Sequence, residues 1–205
     1  MAGLNWRTLE AAELVRTPFD HIAIAQVLLP ECAAAIPDEF PTIKSPGSFS
    51  MADAPPGPVL ASLIDDLMSQ RFRVRMTEIF EIDLEGKPAV VTLRGQCSAK
   101  DGRVHTDSRS KALSLLIYLN DGWSGGEGQL RLMNRESGFD SAPVEIPATL
   151  GSMVAFRRSD TSWHGHAPFV GQRRALQFNY LQTARASMVG EVRHRISAFA
   201  KQLVA

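Results

Sequence analysis

Two short segments of this chain carry residue types that bind a transition metal. His105 and Asp107 are two residues apart, so on an extended strand both side chains point to the same face. Together with the later His164 they form a two-His-one-carboxylate set, which occupies one face of an octahedral Fe(II) and leaves three positions open. A His-x-Asp tripeptide alone is equally compatible with a hydrogen-bonded surface pair, so the prediction depends on the rest of the sequence. We predict His105, Asp107 and His164 as the metal ligands and the catalytic residues.

A basic residue follows the second histidine at a spacing that suits the binding of an acidic cosubstrate. Arg173 comes after a turn-rich segment, and we expect it and His164 to lie on adjacent antiparallel strands that face one cavity. A buried carboxylate needs a charged partner, and a planar guanidinium provides a bidentate one. Arg174 is the competitor, because strand alternation sends it to the opposite face and a bulge would exchange the two roles.

The apolar run over 112–119 predicts a strand with one aliphatic face and one mixed face. The odd positions are all aliphatic and read as core, so the mixed set should face the cavity: Ala112, Ser114, Leu116 and Tyr118. A phenol at Tyr118 would then share the carboxylate with Arg173. The alternative is a tyrosine packed in the barrel with a water on its hydroxyl.

His166 is a second candidate for the distal ligand, because it shares a face with His164 on a regular strand. The spacing to Arg173 favours His164. His166 is then expected at the substrate mouth or in a solvated loop.

Taken in order, these motifs resemble the Fe(II)- and 2-oxoglutarate-dependent oxygenases, in particular the prolyl 4-hydroxylase-like branch. The resemblance covers about residues 90–181. The matching positions are His105 and Asp107, Tyr118-Leu119-Asn120, Gly125-Gly126, Gly151 with Phe156, His164 and Arg173.

The resemblance implies a mainly β fold with flanking helices, built on a double-stranded β-helix (jelly-roll) core. It implies Fe(II) as cofactor, with 2-oxoglutarate and O₂ as cosubstrates. The implied reaction hydroxylates an unactivated C–H of a small molecule, amino acid or short peptide and releases succinate and CO₂. Many relatives have a tyrosine before the first ligand that touches the cosubstrate, and here Gln96 or Arg94 would replace it.

Two other functions stay open on the sequence. A cupin-like metal dioxygenase without 2-oxoglutarate would make Arg173 dispensable and would recruit a further His or Glu. A non-catalytic jelly-roll module would bind a ligand without needing Asp107. Substrate contacts are predicted for residues bordering the opening, namely Arg131, Trp123, Trp163 and His166.

Composition excludes several classes of protein. The 205 residues carry 22 basic and 22 acidic side chains, so no strong electrostatic footprint for nucleic acid or an anionic membrane is expected. Two cysteines are too few for a disulfide framework. Without a signal pattern or a long apolar run, we expect a cytoplasmic protein whose partner is a small-molecule or short-peptide substrate. The oligomeric state stays open, a homodimer included.

We expect a single domain over 1–205, with distinct parts along the chain. A helical and loop part precedes a jelly-roll core, and an amphipathic helix ends the chain: 1–88, 89–183 and 184–204. Within the first part, the pattern predicts a helix over 5–16, a strand over 22–29, a Pro-rich loop over 37–58 and a helix from Pro58 to about Phe72.

Overall fold

The computed structural model describes residues 3–124, 127–134 and 139–184. These residues form two antiparallel sheets packed face to face. The larger sheet has the order β1 (His21–Ile24), β6 (Met153–Arg157), β3 (Lys111–Tyr118), β8 (Gly171–Leu181) and β2 (Ala89–Cys97). The smaller sheet has the order β5 (Val144–Ile146), β4 (Leu130–Met133) and β7 (Trp163–Gly165). This is the predicted mainly β fold with a double-stranded β-helix core.

Strand β3 divides the molecule into two apolar layers, as its alternation predicts. The odd residues Leu113, Leu115 and Ile117 pack in the core between the larger sheet and the helices. Leu116 and Tyr118 point the other way, into the space between the two sheets. Because successive side chains on a strand alternate, a single run of apolar residues supplies both layers.

Helices cover the outer face of the larger sheet. Their bounds are Trp6–Glu10 (α1), Pro30–Glu39 (α2), Pro58–Met68 (α3) and Gln70–Phe80 (α4), with a short 3₁₀ helix at Phe139–Ser141. Helix α3 buries Leu60, Leu63, Ile64 and Leu67, which recur at helical spacing. These four residues belong to the apolar cluster that also contains Leu113, Leu115 and Ile117 of the larger sheet.

Ser69 explains why the predicted helix from Pro58 to Phe72 is two helices. Its extended backbone ends α3, and its side-chain oxygen accepts a hydrogen bond from the Phe72 N–H, which makes Ser69 the N-cap of α4.

Three other elements have bounds that differ from the predicted ones. Asn5 caps α1 as the sequence indicates, but that helix ends at Glu10 rather than at residue 16. Strand β1 ends at Ile24 instead of 29, and α2 extends through Glu39 into the predicted loop 37–58. Pro37 lies in the last turn of α2.

None of the described helices is long and apolar enough to cross a membrane. The predicted helix 184–204 and the pair Gly125-Gly126 lie outside the described residues.

Candidate active site

Three side chains that the sequence predicts as metal ligands lie together between the two sheets. The segment before β3 pairs with β7 through two backbone hydrogen bonds between His105 and His164, of 3.0 and 2.9 Å. Asp107 follows on the same segment, and its Oδ1 lies 4.0 Å from His105 Nε2. One potential ligand atom from each residue lies within 4.8 Å of the other two.

Each histidine of this set has one ring nitrogen occupied by a backbone carbonyl. His105 Nδ1 lies 2.7 Å from the Arg103 carbonyl, and His164 Nδ1 lies 2.9 Å from the Ser162 carbonyl. Because a carbonyl only accepts, each Nδ1 carries the hydrogen and each Nε2 keeps its lone pair. Two imidazole nitrogens and one carboxylate are the donor set that open-sided Fe(II) centres use, so these residues fit that metal.

Asp107 is buried and ionised. Ser114 Oγ donates to Oδ2 at 2.5 Å, and Lys111 Nζ donates to Oδ1 at 2.8 Å. Burial raises the pKa of Asp107, but the charges of Lys111 and His164 and these two hydrogen bonds outweigh it and lower the pKa to about 2. The carboxylate is therefore available to a metal over the whole physiological pH range.

Burial acts in the opposite sense on His164. It lowers the pKa to about 4, against the raising effect of the Asp107 charge and with the added repulsion of His105. His164 is thus neutral at pH 7, which is the form that binds a metal.

The three residues open onto a cavity of about 280 Å³. Its wall is formed by the inner faces of β3 and β8 together with β2 and the smaller sheet. Other lining residues include Arg94, Lys111, Ser114, Leu116, Leu130, Phe156, His166, Arg173, Gln177 and Asn179.

Arg173 lines this cavity and is 4% exposed. Its Nε donates to the Gly128 carbonyl at 2.7 Å, and one terminal nitrogen donates to the Tyr118 hydroxyl at 2.7 Å. These contacts fix the guanidinium plane and leave further N–H groups for a ligand. Arg174 points to the other face, where it donates to the Pro37 carbonyl. Of the two candidate arginines, Arg173 is the one in the cavity.

The Tyr118 hydroxyl accepts two hydrogen bonds, from Arg173 and from the Leu130 backbone N–H at 2.9 Å. Its own hydrogen is therefore left to donate. Burial raises the pKa of Tyr118, although the Arg173 charge and these hydrogen bonds oppose it, so the phenol keeps its proton at neutral pH. Tyr118 is fully buried and is not itself among the residues that line the cavity, but its hydroxyl contacts the guanidinium of Arg173, which lines it.

His166 lines the cavity but is not part of the three-residue group. Its Nδ1 donates to the Ala167 carbonyl at 2.9 Å, and its Nε2 lies 3.8 Å from Cys97 Sγ. Burial and the nearby Arg173 charge lower its pKa to about 4. Sequence reasoning assigned Cys97 no place near the site.

Gln96, one of the two residues predicted to contact the cosubstrate, is not among the residues that line the cavity. The pairing of β2 with β8 shifts register between Arg94 and Gln96, so the regular alternation stops there. Arg94, the other candidate, lines the cavity and pairs with Asp101 at 2.7 Å. Beyond the shift, Cys97 rather than Gln96 contacts the cavity residue His166.

Three predicted substrate contacts also lie outside the cavity wall. Arg131 pairs with Glu145 at 2.7 Å, while its neighbour Leu130 faces inward. Trp123 packs against Phe169 at a centroid distance of 5.0 Å. Trp163 alternates with the inward His164 on β7, which turns its ring away from the metal position.

Two cavity residues were missed although the sequence carried a signal for them. Gln177 and Asn179 follow Arg173 at even spacing on β8, so alternation places them on the same face. Lys111 was also missed, because it precedes the aliphatic run and its contact with Asp107 depends on the turn between them. The roles of all these residues in binding stay predictions.

Comparison with known proteins agrees with this geometry. Residues 95–181 match the family model of the 2OG-Fe(II) oxygenase superfamily. No curated protein sequence matches the chain. The matched segment contains the candidate ligands, Tyr118 and Arg173.

Several solved structures have a similar fold. A prolyl-4-hydroxylase from Pseudomonas putida is 18% identical over 80% of this chain and 88% of its own, with a TM-score of 0.53. A prolyl hydroxylase from Trichoplax adhaerens was solved with a peptide fragment of the hypoxia inducible factor oxygen degradation domain. It is 16% identical over 82% of this chain and 86% of its own, with a TM-score of 0.54. A viral collagen prolyl hydroxylase from Paramecium Bursaria Chlorella virus-1 is 15% identical over 80% of this chain and 90% of its own, with a TM-score of 0.52. At these identities the likeness concerns the fold.

Proposed function

We propose that this chain is an Fe(II)- and 2-oxoglutarate-dependent oxygenase that hydroxylates an unactivated C–H of a small molecule, amino acid or short peptide. The match of residues 95–181 to the 2OG-Fe(II) oxygenase superfamily supports this proposal. The expected coproducts are succinate and CO₂. The observation that carries the proposal is one cavity lined both by a two-His-one-carboxylate set and by the buried Arg173, whose guanidinium donates to the Tyr118 hydroxyl.

The chain's own residues would divide the work by position. His105, Asp107 and His164 would hold the iron on one side and leave its other positions to ligands. Arg173 and Tyr118 would hold the far carboxylate of 2-oxoglutarate through charge-assisted hydrogen bonds, which orients the keto-acid end towards the metal. Iron, 2-oxoglutarate and O₂ together supply the oxidising chemistry when bound.

The apolar part of the cavity wall would exclude water around these groups. Leu116, Leu130 and Phe156 line it together with the metal set and Arg173. In such a low-dielectric surrounding, the pair formed by Arg173 and a carboxylate is stronger than in water. The same residues would shield the reacting site from side reactions with solvent.

The deciding experiment is an anaerobic titration of metal-free protein with Fe(II) and 2-oxoglutarate, followed by the visible iron-to-keto-acid charge-transfer band. We expect the band in wild type and in His166→Ala, and its loss in Asp107→Ala and His164→Ala. His166→Ala is the matched control, because this histidine lines the cavity outside the three-residue group. Folded wild-type protein that gives no band would overturn the proposal.

A further inference from the structure

Lys111, the first residue of β3, contributes an ammonium group to the cavity wall. Its Nζ lies 2.8 Å from Asp107 Oδ1, and its side chain is 26% exposed. Oδ1 is also the oxygen that lies 4.0 Å from His105 Nε2, so it faces the candidate metal position. The Lys111 ammonium and a metal ion therefore compete for one oxygen.

Metal binding must weaken the pair between Lys111 and Asp107. A divalent metal bonds a carboxylate oxygen at about 2 Å, so an ammonium kept on Oδ1 would lie within roughly 5 Å of the ion. Charges of the same sign repel at that distance, whereas the Ser114 hydrogen bond to Oδ2 is unaffected. Loading the site would thus weaken the attraction between Asp107 and Lys111.

The loaded cavity offers Lys111 no other anion among the described residues. Asp107 is the one carboxylate among those that line the cavity, and Asp101 is paired with Arg94 at 2.7 Å. The charges of Fe(II), Asp107, Arg173 and the 2-oxoglutarate dianion cancel one another. The positive charge of Lys111 then has no balancing negative charge among these groups.

This free cation lies away from the arginine–tyrosine end of the cavity. Lys111 and Tyr118 are the first and last residues of β3, which separates them by roughly 20 Å along the strand. The carboxylate of 2-oxoglutarate that Arg173 would hold is therefore remote from Lys111, and its other carboxylate would be neutralised at the metal. Asn179 on β8 lies closer to Lys111, opposite Ser114 in the sheet, and adds an amide to the cavity wall.

We propose that Lys111, with Asn179 beside it, anchors a carboxylate of the primary substrate, so that this oxygenase acts on an organic acid. The inference rests on the proposed function and specifies its substrate class. The cavity volume of about 280 Å³ lies near the lower end of the range for small-molecule pockets, which suits a small acid beside the cosubstrate.

The first test measures metal affinity with redox-inert Mn(II). Lys111→Met should bind Mn(II) about three- to tenfold more tightly than wild type, because the competing cation is gone. Lys44→Met, an exposed lysine that does not line the cavity, should leave the affinity unchanged. Weaker Mn(II) binding by Lys111→Met would mean that Lys111 positions Asp107 instead, and would overturn the inference.

The second test measures charge recognition in the complex with Mn(II) and 2-oxoglutarate, using calorimetric titration. The probes are N-acetyl amino acids and their primary amides, which differ only in the carboxylate. Wild type and Lys44→Met should prefer the acids by about tenfold, and Lys111→Met should show no preference. An acetylated, amidated aspartyl peptide tests whether a side-chain carboxylate serves as well as a free acid.

Acids and amides that bind wild type alike, including no binding of either, overturn the inference. So does a Lys111→Met variant that needs far more 2-oxoglutarate, because Lys111 would then serve the cosubstrate. The charge-transfer band separates the two proposals. If the band is missing in wild type, the proposed function fails; if it is present without a preference for acids, only the substrate class fails.

Discussion

The guanidinium of Arg173 is held by the Gly128 carbonyl and the Tyr118 hydroxyl, and so meets the cavity in a fixed orientation. Replacing Arg173 by methionine should raise the 2-oxoglutarate concentration needed for half-maximal charge transfer by about 100-fold, since a buried carboxylate would lose its charged partner. Arg173→Lys should raise this concentration by less than Arg173→Met does, because an ammonium keeps the charge but lacks the planar fork of a guanidinium.

Arg174→Met is the matched control for this prediction. Arg174 lies on the opposite face of β8, where it donates to the Pro37 carbonyl and stacks over Phe40. The variant should lose some stability and keep the 2-oxoglutarate requirement. An equal effect of both variants would contradict the assignment of Arg173.

Tyr118 supports both cosubstrate binding and the local structure. Tyr118→Phe removes the acceptor of two buried donors, Arg173 and the Leu130 N–H, together with the phenol hydrogen. We expect about tenfold weaker 2-oxoglutarate binding and a free energy of unfolding about 1–3 kcal/mol lower, measured by calorimetry and by urea denaturation.

Tyr180→Phe provides the comparison on the other face of the larger sheet. Its hydroxyl is buried and has no hydrogen-bond partner among the described residues. Removing this hydroxyl should leave 2-oxoglutarate binding unchanged and should leave the free energy of unfolding unchanged or slightly higher. If Tyr118→Phe behaved in the same way, the donor-pair interpretation would be wrong.

Among the structural elements, the loop before the first ligand depends on glycine at one position. Gly102 has a φ of +78°, and a Cβ there would lie 2.3 Å from the His166 ring. Gly102→Ala should therefore cost the left-handed backbone penalty plus the displacement of His166, about 2–4 kcal/mol of unfolding free energy in total. Thermal and urea denaturation measure this loss.

Gly86 separates the two contributions. It has a φ of +64°, but nothing lies within 4 Å of an added Cβ. Gly86→Ala should show the backbone penalty alone, about 1–2 kcal/mol. Equal losses in the two variants would refute a steric role for the His166 contact.

At the scale of the whole molecule, two buried neutral histidines make stability depend on pH. The pKa values of His164 and His166 are lowered from 6.5 to about 4, mainly by burial. Between these values the unfolded chain binds protons that the native protein does not, so stability falls as the pH falls from about 6.5 to 4. Above pH 6.5 both states are neutral at these sites and the effect vanishes.

For metal-free protein we expect a loss of roughly 2–3 kcal/mol per histidine over that range, measured by urea denaturation at several pH values. His166→Gln should show a shallower decline. Asp107, with a pKa of about 2 against an ordinary 3.8, adds a further loss only below about pH 4. Stability that stays constant between pH 6.5 and 5 in wild type would contradict this account.

Local patterns in the sequence were sufficient for part of the fold and site. The alternation in 112–119 predicted both faces of β3, and the helical stripe from Leu60 to Leu67 predicted the face of α3 that packs on the sheet. Helix α4 was missed, although Ser69 was a cap signal for it, because its eleven residues are rich in polar side chains.

The sequence by itself determined which residue types could bind a metal and a carboxylate, because residues two apart in an extended backbone, such as His105 and Asp107, point to the same face. Only the tertiary structure decided which residues line the cavity. Gln96 follows a register shift and does not line the cavity, a turn brings Lys111 to Asp107, and the packing of distant segments brings His166 to Cys97. The physical reason is that alternation is a local property of the backbone, whereas bulges and contacts between distant segments depend on how the two sheets pack.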